Sequence, residues 1–122
     1  MLRGIRGAIT VNQNSKTEIF QAAQSLITKI LSENELSLDS VGAIIFTSTN
    51  DLNAAFPSAG LRQLSQEFNL VPLFDAQETF VEGSLPLCIR ALILADIDKN
   101  AAQIQHIYLG NAKKLRPDLV KQ

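Results

Sequence analysis

Three side chains in the stretch 71–95 are of types that could do chemistry: Asp75, Glu78 and Arg90. Arg90 lies inside the apolar run 87–94, where a guanidinium must pair with an acid or face a cavity that supplies an anion. One interpretation is structural, with Arg90 paired to Glu78 or Asp75. The other is a ligand site, because arginine stays charged when desolvated and its rigid fork matches a carboxylate.

The distribution of the arginines favours a ligand site. Lysines lie on the first predicted helix, in the turn near Asp98 and in the tail, whereas the arginines lie outside the solvated face of that helix. A cluster of arginines with one glutamate indicates a small polycarboxylate as the ligand. The five arginines are Arg3, Arg6, Arg62, Arg90 and Arg116.

Other chemistries find little support in the sequence. One histidine and one cysteine, without carboxylate–histidine spacing, predict no metal site. Cys88 lies among apolar residues, where the pKa of a thiol rises, and we interpret it as structural. His106 is interpreted as part of a strand, and the polar cluster 47–51 fits either turn chemistry or an anion site. The nucleophile elbow of serine hydrolases and the glycine-rich phosphate loop are both missing.

Size and charge limit the possible partners. A chain of 122 residues, 46% of them hydrophobic, predicts one domain over residues 1–122 with little room for a deep pocket. A cleft between subunits is therefore expected. The net charge of -1 and the pI of about 5.7 argue against a nucleic-acid partner. No signal peptide or membrane span is visible, and we expect a soluble, cytoplasmic protein without a membrane partner.

The first half of the chain predicts two strands and a long helix that could position these residues. Residues 2–11 read as a strand, on which Arg3 and Arg6 would face opposite sides unless a bulge at Gly4 or Gly7 re-aims one of them. Ser15 and Glu18 have the spacing of a capping box and precede a helical apolar pattern, which predicts a helix over 16–33. The apolar run 41–48 is typical of a central strand covered on both faces.

The second half predicts a shorter helix and three more strands. Pro57 favours a helix over 57–67, with Leu61, Leu64 and Phe68 as its packing stripe and Arg62 off that stripe. Residues 71–74 read as a strand, and Asp75 and Glu78 fall in the polar segment after it. Residues 88–95 are interpreted as a strand, 101–105 as a helical turn and 106–109 as the last strand.

Six short motifs, taken in order, make the sequence resemble a known family. They are RGIRGA from Arg3, FP with a following arginine at Phe56 and Arg62, VP with QE at Gln77 and Glu78, CIR ending at Arg90, HxYL containing Tyr108, and LRPDL from Leu115. Together they resemble the monofunctional chorismate mutases of the trimeric α+β class. The match covers essentially the whole chain.

The resemblance implies a fold and an assembly. It implies a mixed five-stranded sheet packed against one long and one short helix, with three copies forming a pseudo-α/β-barrel homotrimer. Active sites would lie at the subunit interfaces. Arg6, Glu78, Arg90 and Tyr108 would come from one subunit, and Phe56 and Arg62 from its neighbour.

The resemblance also implies an activity, the conversion of chorismate to prephenate in phenylalanine and tyrosine biosynthesis. The rearrangement is intramolecular, so no cofactor or metal is expected. Arg90, Glu78 and Arg6 would be catalytic. The residues expected to bind substrate are Arg6, Tyr108, Phe56, Arg62, Leu73, Phe74, Asp75, Leu115 and Arg116.

Individual roles follow from the same resemblance. Arg90 would reach the ether oxygen, while Arg6 and Tyr108 would hold a carboxylate. Glu78 would accept a hydrogen bond from the ring hydroxyl while orienting Arg6. Leu115 and Arg116 would lie in a mobile tail near the entrance.

Two positions depart from the family pattern. Asp75 stands where members often carry cysteine, and Ala59 where they often carry lysine. Asp75 could accept a hydrogen bond from the substrate hydroxyl or hold Arg90. The competing interpretation is a non-catalytic or imine-hydrolysing trimer of similar fold that binds a small carboxylate. Tyr108 also has a structural alternative, as a half-buried residue of the sheet.

Overall fold

The computed structural model describes residues 1–119, and its centre is a mixed five-stranded sheet. The strands are β1 (Leu2–Thr10), β2 (Val41–Ser48), β3 (Leu73–Gln77), β4 (Cys88–Asp96) and β5 (Ile107–Leu109). Their order across the sheet is β3-β2-β4-β1-β5. The central strand β4 is antiparallel to both β1 and β2, whereas the edge strands β3 and β5 are parallel to their neighbours.

Two helices cover one face of this sheet. They are α1 (Lys16–Glu33) and α2 (Pro57–Leu64), and short 3-10 turns complete the chain. The Ser15 side chain caps α1 by accepting from the Glu18 N–H at 3.2 Å. A Cβ at Gly60 would lie 2.9 Å from the Phe20 Cα, so glycine at this position lets α2 lie directly against α1.

The core lies between these helices and the sheet. It is made mainly of aliphatic residues of α1 and of alternate residues of β1, β2 and β4, together with Phe46 and Phe68. The fully buried members include Ile5, Leu26, Ile27, Ile30, Ile44, Phe46, Ile89 and Ile93.

The opposite face of the sheet, which we call the open face, has neither α1 nor α2 on it. It carries the other alternate residues of each strand, among them Leu2, Phe74 and Leu92, which are 70%, 67% and 36% exposed. At one end, the 3-10 turns Gly110–Lys114 and Pro117–Leu119 cover it, and Ala112 packs there with Ala8 and Tyr108. Large apolar side chains therefore remain exposed over much of the open face.

Most predicted elements are confirmed. The helix over 16–33 has the predicted bounds, and the strands predicted over 2–11, 41–48, 88–95 and 106–109 each appear within a residue or two. The mixed sheet with one long and one short helix is the predicted α+β fold. Arg3 and Arg6 lie on opposite faces, because the pairing of β1 with β4 is regular throughout. The single-domain prediction covers 1–122, of which the last three residues lie outside the described part.

Two local predictions are wrong. The second helix ends at Leu64 rather than at 67, since Ser65 caps a separate 3-10 turn by accepting from the Glu67 N–H. Leu64 is 48% exposed and does not share the packing of Leu61 and Phe68. β2 was expected to be covered on both faces, and within this chain the helices cover one of them.

The third strand also differs from its prediction. It begins at Leu73, because Pro72 has no N–H for the ladder, and continues to Gln77 through parallel pairing with β2. Asp75 is therefore a strand residue rather than part of the polar segment that follows. Among residues 1–119, no helix is long and apolar enough to cross a membrane.

Candidate active site

One row of side chains runs across the open face. Thr47, Arg90, Ala8 and Tyr108 are successive cross-strand partners on β2, β4, β1 and β5. Paired residues project from the same face of a sheet, and so do residues two apart on one strand. Arg6 therefore shares this face with Ala8, and the sheet brings Arg6, Arg90 and Tyr108 to one side.

Glu78 joins the row from beyond the end of β3. Its N–H donates to the Ser48 carbonyl at 3.0 Å, which continues the β2–β3 pairing one residue past the strand. The Glu78 Oε1 lies 2.6 Å from the Arg90 Nε. The Thr47 hydroxyl donates to the same oxygen at 3.2 Å. Arg90 and Thr47 thus both contact one oxygen of the carboxylate.

The Arg90 guanidinium is only partly engaged by this pair. The contact with Glu78 is close, yet the buried Nε has no hydrogen-bond partner in the described chain, because its N–H is not aligned with Oε1. The terminal nitrogens donate no hydrogen bond to an oxygen or nitrogen of residues 1–119. The Arg90 side chain is 41% exposed and that of Glu78 is 15% exposed. The fork of Arg90 is consequently available to an anionic ligand.

The sequence left the partner of Arg90 open between Glu78 and Asp75, and the structure selects Glu78. Asp75 pairs in register with Phe46, whose ring is in the core, so Asp75 faces the helices. Its carboxylate accepts hydrogen bonds from the Ser58 N–H at 3.1 Å and from the Ser58 hydroxyl. The expectation that Asp75 holds Arg90 is wrong, because the two side chains lie on opposite faces of the sheet.

Glu78 was also expected to orient Arg6, but its ion pair is with Arg90. Arg6 is held instead through its backbone, whose N–H donates to the His106 Nδ1 at 2.9 Å. Burial lowers the pKa of His106, and the charges of Arg6 and Arg116 lower it further. The imidazole is therefore kept in the neutral form, in which Nδ1 can accept this hydrogen bond.

Tyr108 is 9% exposed and belongs to a small apolar cluster with Ala8, Cys88 and Ala112. Leu115 packs against this cluster. Arg116 forms an ion pair with Asp118, with 2.8 Å between Nη2 and Oδ2. The C-terminal turns therefore lie over the end of the row that contains Tyr108.

Cys88 is buried in the same cluster. Burial raises the pKa of its thiol to about 11, although the nearby Arg90 charge acts in the opposite direction. A thiol with so high a pKa is a poor nucleophile at neutral pH. This agrees with the structural interpretation of Cys88.

A second group of expected site residues lies on the side that carries the helices. Phe56 precedes α2 and is 68% exposed, and Arg62 is exposed in the last turn of that helix. Leu73 and Asp75 also face this side, because they pair with the core residues Ile44 and Phe46. Phe74 projects from the open face instead. The site residues expected from the sequence therefore fall into two groups on opposite sides of one chain.

Within residues 1–119, a single chain does not enclose a binding pocket around Glu78. The cavity beside it has a volume of about 60 Å³ and is lined by residues that include Thr79, Phe80 and Leu85. Small-molecule pockets usually measure roughly 300–1,000 Å³. A larger cleft of about 560 Å³ lies next to Phe56 and Asp75, within the second group.

Two contacts were missed at the sequence level. Thr47 was placed at the end of the strand 41–48 and in a polar cluster without a partner, although its alternation with the core residue Phe46 on β2 could have indicated the open face. The contact between His106 and Arg6 had no signal in the sequence, because it joins residues 100 positions apart. Among residues 1–119, no group of three or more His, Cys, Asp or Glu residues could hold a metal ion.

Comparison with known proteins gives consistent similarities. Residues 2–119 match the family model described as Chorismate mutase type I. The chorismate mutase AroH of Thermus thermophilus is 45% identical over 120 residues, which cover 98% of this chain and 97% of that protein. The AroH of Bacillus subtilis is 40% identical over 119 residues, covering 98% and 93%. The structure of a chorismate mutase from Clostridium thermocellum superimposes with a TM-score of 0.88 at 38% identity, over 92% of this chain and 98% of that one.

Proposed function

The chain belongs to the type I chorismate mutase family, and from that premise we propose how its residues carry out the reaction. It is a chorismate mutase, an isomerase of aromatic amino-acid biosynthesis that converts chorismate to prephenate. Its substrate is therefore chorismate. The family match extends over residues 2–119 and favours this activity over the non-catalytic or imine-hydrolysing alternative.

The reaction determines what the protein must supply. An ether C–O bond breaks and a C–C bond forms within one molecule, so the chemistry needs no external nucleophile, base or cofactor. The enzyme must hold the dianion in its compact reactive conformer. It must also stabilise the negative charge that grows on the ether oxygen as the C–O bond breaks.

Arg90 is proposed to stabilise that charge. The observation that carries this assignment is the position of its guanidinium, which contacts Glu78 through Nε and leaves its terminal nitrogens free of hydrogen bonds to oxygen or nitrogen in residues 1–119. A fork oriented in this way can donate to an ether oxygen and to a carboxylate at the same time. Its position is fixed before substrate arrives, which is what electrostatic stabilisation of a transition state requires.

The remaining open-face residues are proposed to bind the rest of the substrate. Arg6 and Tyr108 hold a carboxylate, and Leu115 and Arg116 lie at the entrance. Glu78 accepts a hydrogen bond from the ring hydroxyl through Oε2, since both of its contacts in the described chain use Oε1. Glu78 is not assigned to orient Arg6, because its ion pair is with Arg90.

A neighbouring subunit is proposed to complete the site, in a homotrimer that forms the pseudo-α/β-barrel. Phe56 would pack against the substrate ring and Arg62 would hold a carboxylate. Leu73 and Asp75, which face the same side as these residues, are assigned to the same rim, and Phe74 is assigned to the open-face part of the site. The exposed apolar side chains of the open face support this assembly, because burying them between subunits would be favourable. We also propose a cytoplasmic location, which is consistent with the lone unpaired cysteine.

Two measurements test this proposal. Purified protein should remove the ultraviolet absorbance of chorismate and form prephenate, without added metal or cofactor. Analytical ultracentrifugation of the same sample should give the mass of a trimer. Failure to form prephenate would refute the catalytic roles, and an active monomer would refute the shared site.

A further inference from the structure

We infer that Thr47 is a positioning residue for the rearrangement, because its hydroxyl holds the Glu78 carboxylate so that the Arg90 fork stays free for substrate. This rests on the proposed roles of Glu78 and Arg90. Thr47 reaches the chemistry only through Glu78, so it is distinct from the residues assigned to substrate.

Thr47 is well placed to fix a neighbouring side chain. It lies on β2, which is paired on both sides, and it is the direct cross-strand partner of Arg90. A β-branched residue on a strand has few accessible χ1 rotamers, so its hydroxyl is held by the sheet itself. Glu78, by contrast, lies just beyond the end of β3 and is tied to β2 by one backbone hydrogen bond, to Ser48.

The contacts of Glu78 show what the hydroxyl adds. Thr47 donates to Oε1 at 3.2 Å, and Arg90 Nε lies 2.6 Å from the same oxygen. Oε2 receives no hydrogen bond from residues 1–119. With Oε1 held by both neighbours, Oε2 is left to accept a hydrogen bond from the substrate.

Loss of the hydroxyl would permit a competing arrangement. The terminal torsion χ3 of glutamate has a broad distribution of angles, so a carboxylate without the Thr47 hydrogen bond can rotate about it. Both oxygens of Glu78 could then face the Arg90 fork in a bidentate pair, which is the preferred geometry of arginine and carboxylate. That pair would occupy the terminal nitrogens of Arg90 and withdraw Oε2 from substrate.

The first test replaces Thr47 without changing its shape. Thr47→Val removes only the hydroxyl, and kcat should fall about tenfold, as expected for loss of one hydrogen bond to a charged group. KM should change less than kcat, because the contact of Arg90 with the developing charge is made in the transition state, whereas the contact of Oε2 with the ring hydroxyl is made in both states. Thr47→Ser keeps the donor and should stay within about threefold of wild type. Thr28→Val, on the exposed side of α1, is the matched control and should leave kcat unchanged.

The second test asks whether Thr47 acts through Glu78. Glu78→Ala should lower kcat strongly, and adding Thr47→Val to that variant should cause no further loss, because the hydroxyl would have lost its partner. Additive losses in the double variant would overturn the inference, and so would a Thr47→Val enzyme with normal kcat. If Glu78→Ala itself is fully active, the proposed role of Glu78 fails, and the inference about Thr47 fails with it.

Discussion

Replacing Arg90 by lysine separates the charge of the guanidinium from its shape. Arg90 contacts Glu78 through Nε, while its terminal nitrogens make no hydrogen bond to oxygen or nitrogen in residues 1–119. Lysine has one ammonium in place of the fork and can either remain with Glu78 or reach the substrate. In Arg90→Lys we therefore expect the contact with the ether oxygen to be lost or misplaced.

The size of this effect follows from the number of donors removed. Loss of one preorganised donor to a developing oxyanion costs about 10²- to 10³-fold in kcat, or roughly 2.7–4 kcal/mol. Arg90→Lys should lose at least that much. Stability should change little, because the positive charge beside the 15% exposed Glu78 is kept.

The assay is the initial rate of chorismate disappearance at saturating substrate, with the melting temperature measured on the same sample. Arg3→Lys is a suitable control, because Arg3 faces the other side of β1 and its Nε donates to the Lys99 carbonyl at 3.0 Å. That variant should keep normal kcat. An Arg90→Lys enzyme with kcat within about tenfold of wild type would contradict the role given to the fork.

Two further predictions concern contacts that hold the fold around the site. The pKa of His106 is lowered from 6.5, so the stability that depends on its neutral ring is complete above pH 6.5 and is lost as the pH falls through the lower folded value. Between about pH 8 and pH 5, the melting temperature should therefore fall more for wild type than for His106→Gln. Asn34 is 1% exposed, and its amide donates to the carbonyls of Ile30 and Gln105 and accepts from the Gln105 N–H. Asn34→Ala should therefore lower the free energy of unfolding, measured by urea titration, by about 2–4 kcal/mol.

Each of these predictions has a clear contradicting result. Equal pH dependence in wild type and His106→Gln would mean that protonation of His106 is not coupled to folding. Asn69→Ala, at an exposed position, is the control for Asn34→Ala and should change stability by less than about 0.5 kcal/mol. A similar small change in Asn34→Ala would contradict the importance of the buried amide. Protein concentration must be held constant, because the proposed assembly would contribute to apparent stability.

Elements with a strong local pattern could be predicted from the sequence. The helix α1 has a side-chain cap and a continuous apolar stripe, so its bounds were predicted correctly. The apolar run containing Arg90 was correctly interpreted as a strand. The end of the second helix was not predicted, since the competing cap at Ser65 is only visible once the backbone has turned.

The partner of Arg90 depended on information that the sequence does not contain. Asp75 and Glu78 are three residues apart and were equivalent as candidates. Pairing of β3 with β2 extends further than predicted, and it places Asp75 opposite Phe46 on the helix side. Glu78 lies beyond the strand and reaches the open face. The register of one edge strand thus decides which acid meets the arginine.

The most direct test of the account is whether two inactive chains can restore a site between them. Arg90 and Arg62 lie in the two groups on opposite sides of one chain, so the account requires them to meet across a subunit interface. After unfolding and refolding together in equal amounts, Arg90→Ala and Arg62→Ala chains should form mixed trimers in which about a quarter of the interfaces carry both arginines. We expect activity near that fraction of wild type, well above either variant refolded alone. A mixture that exchanges subunits, as shown by tagged chains, yet remains as inactive as its parents would contradict the shared site.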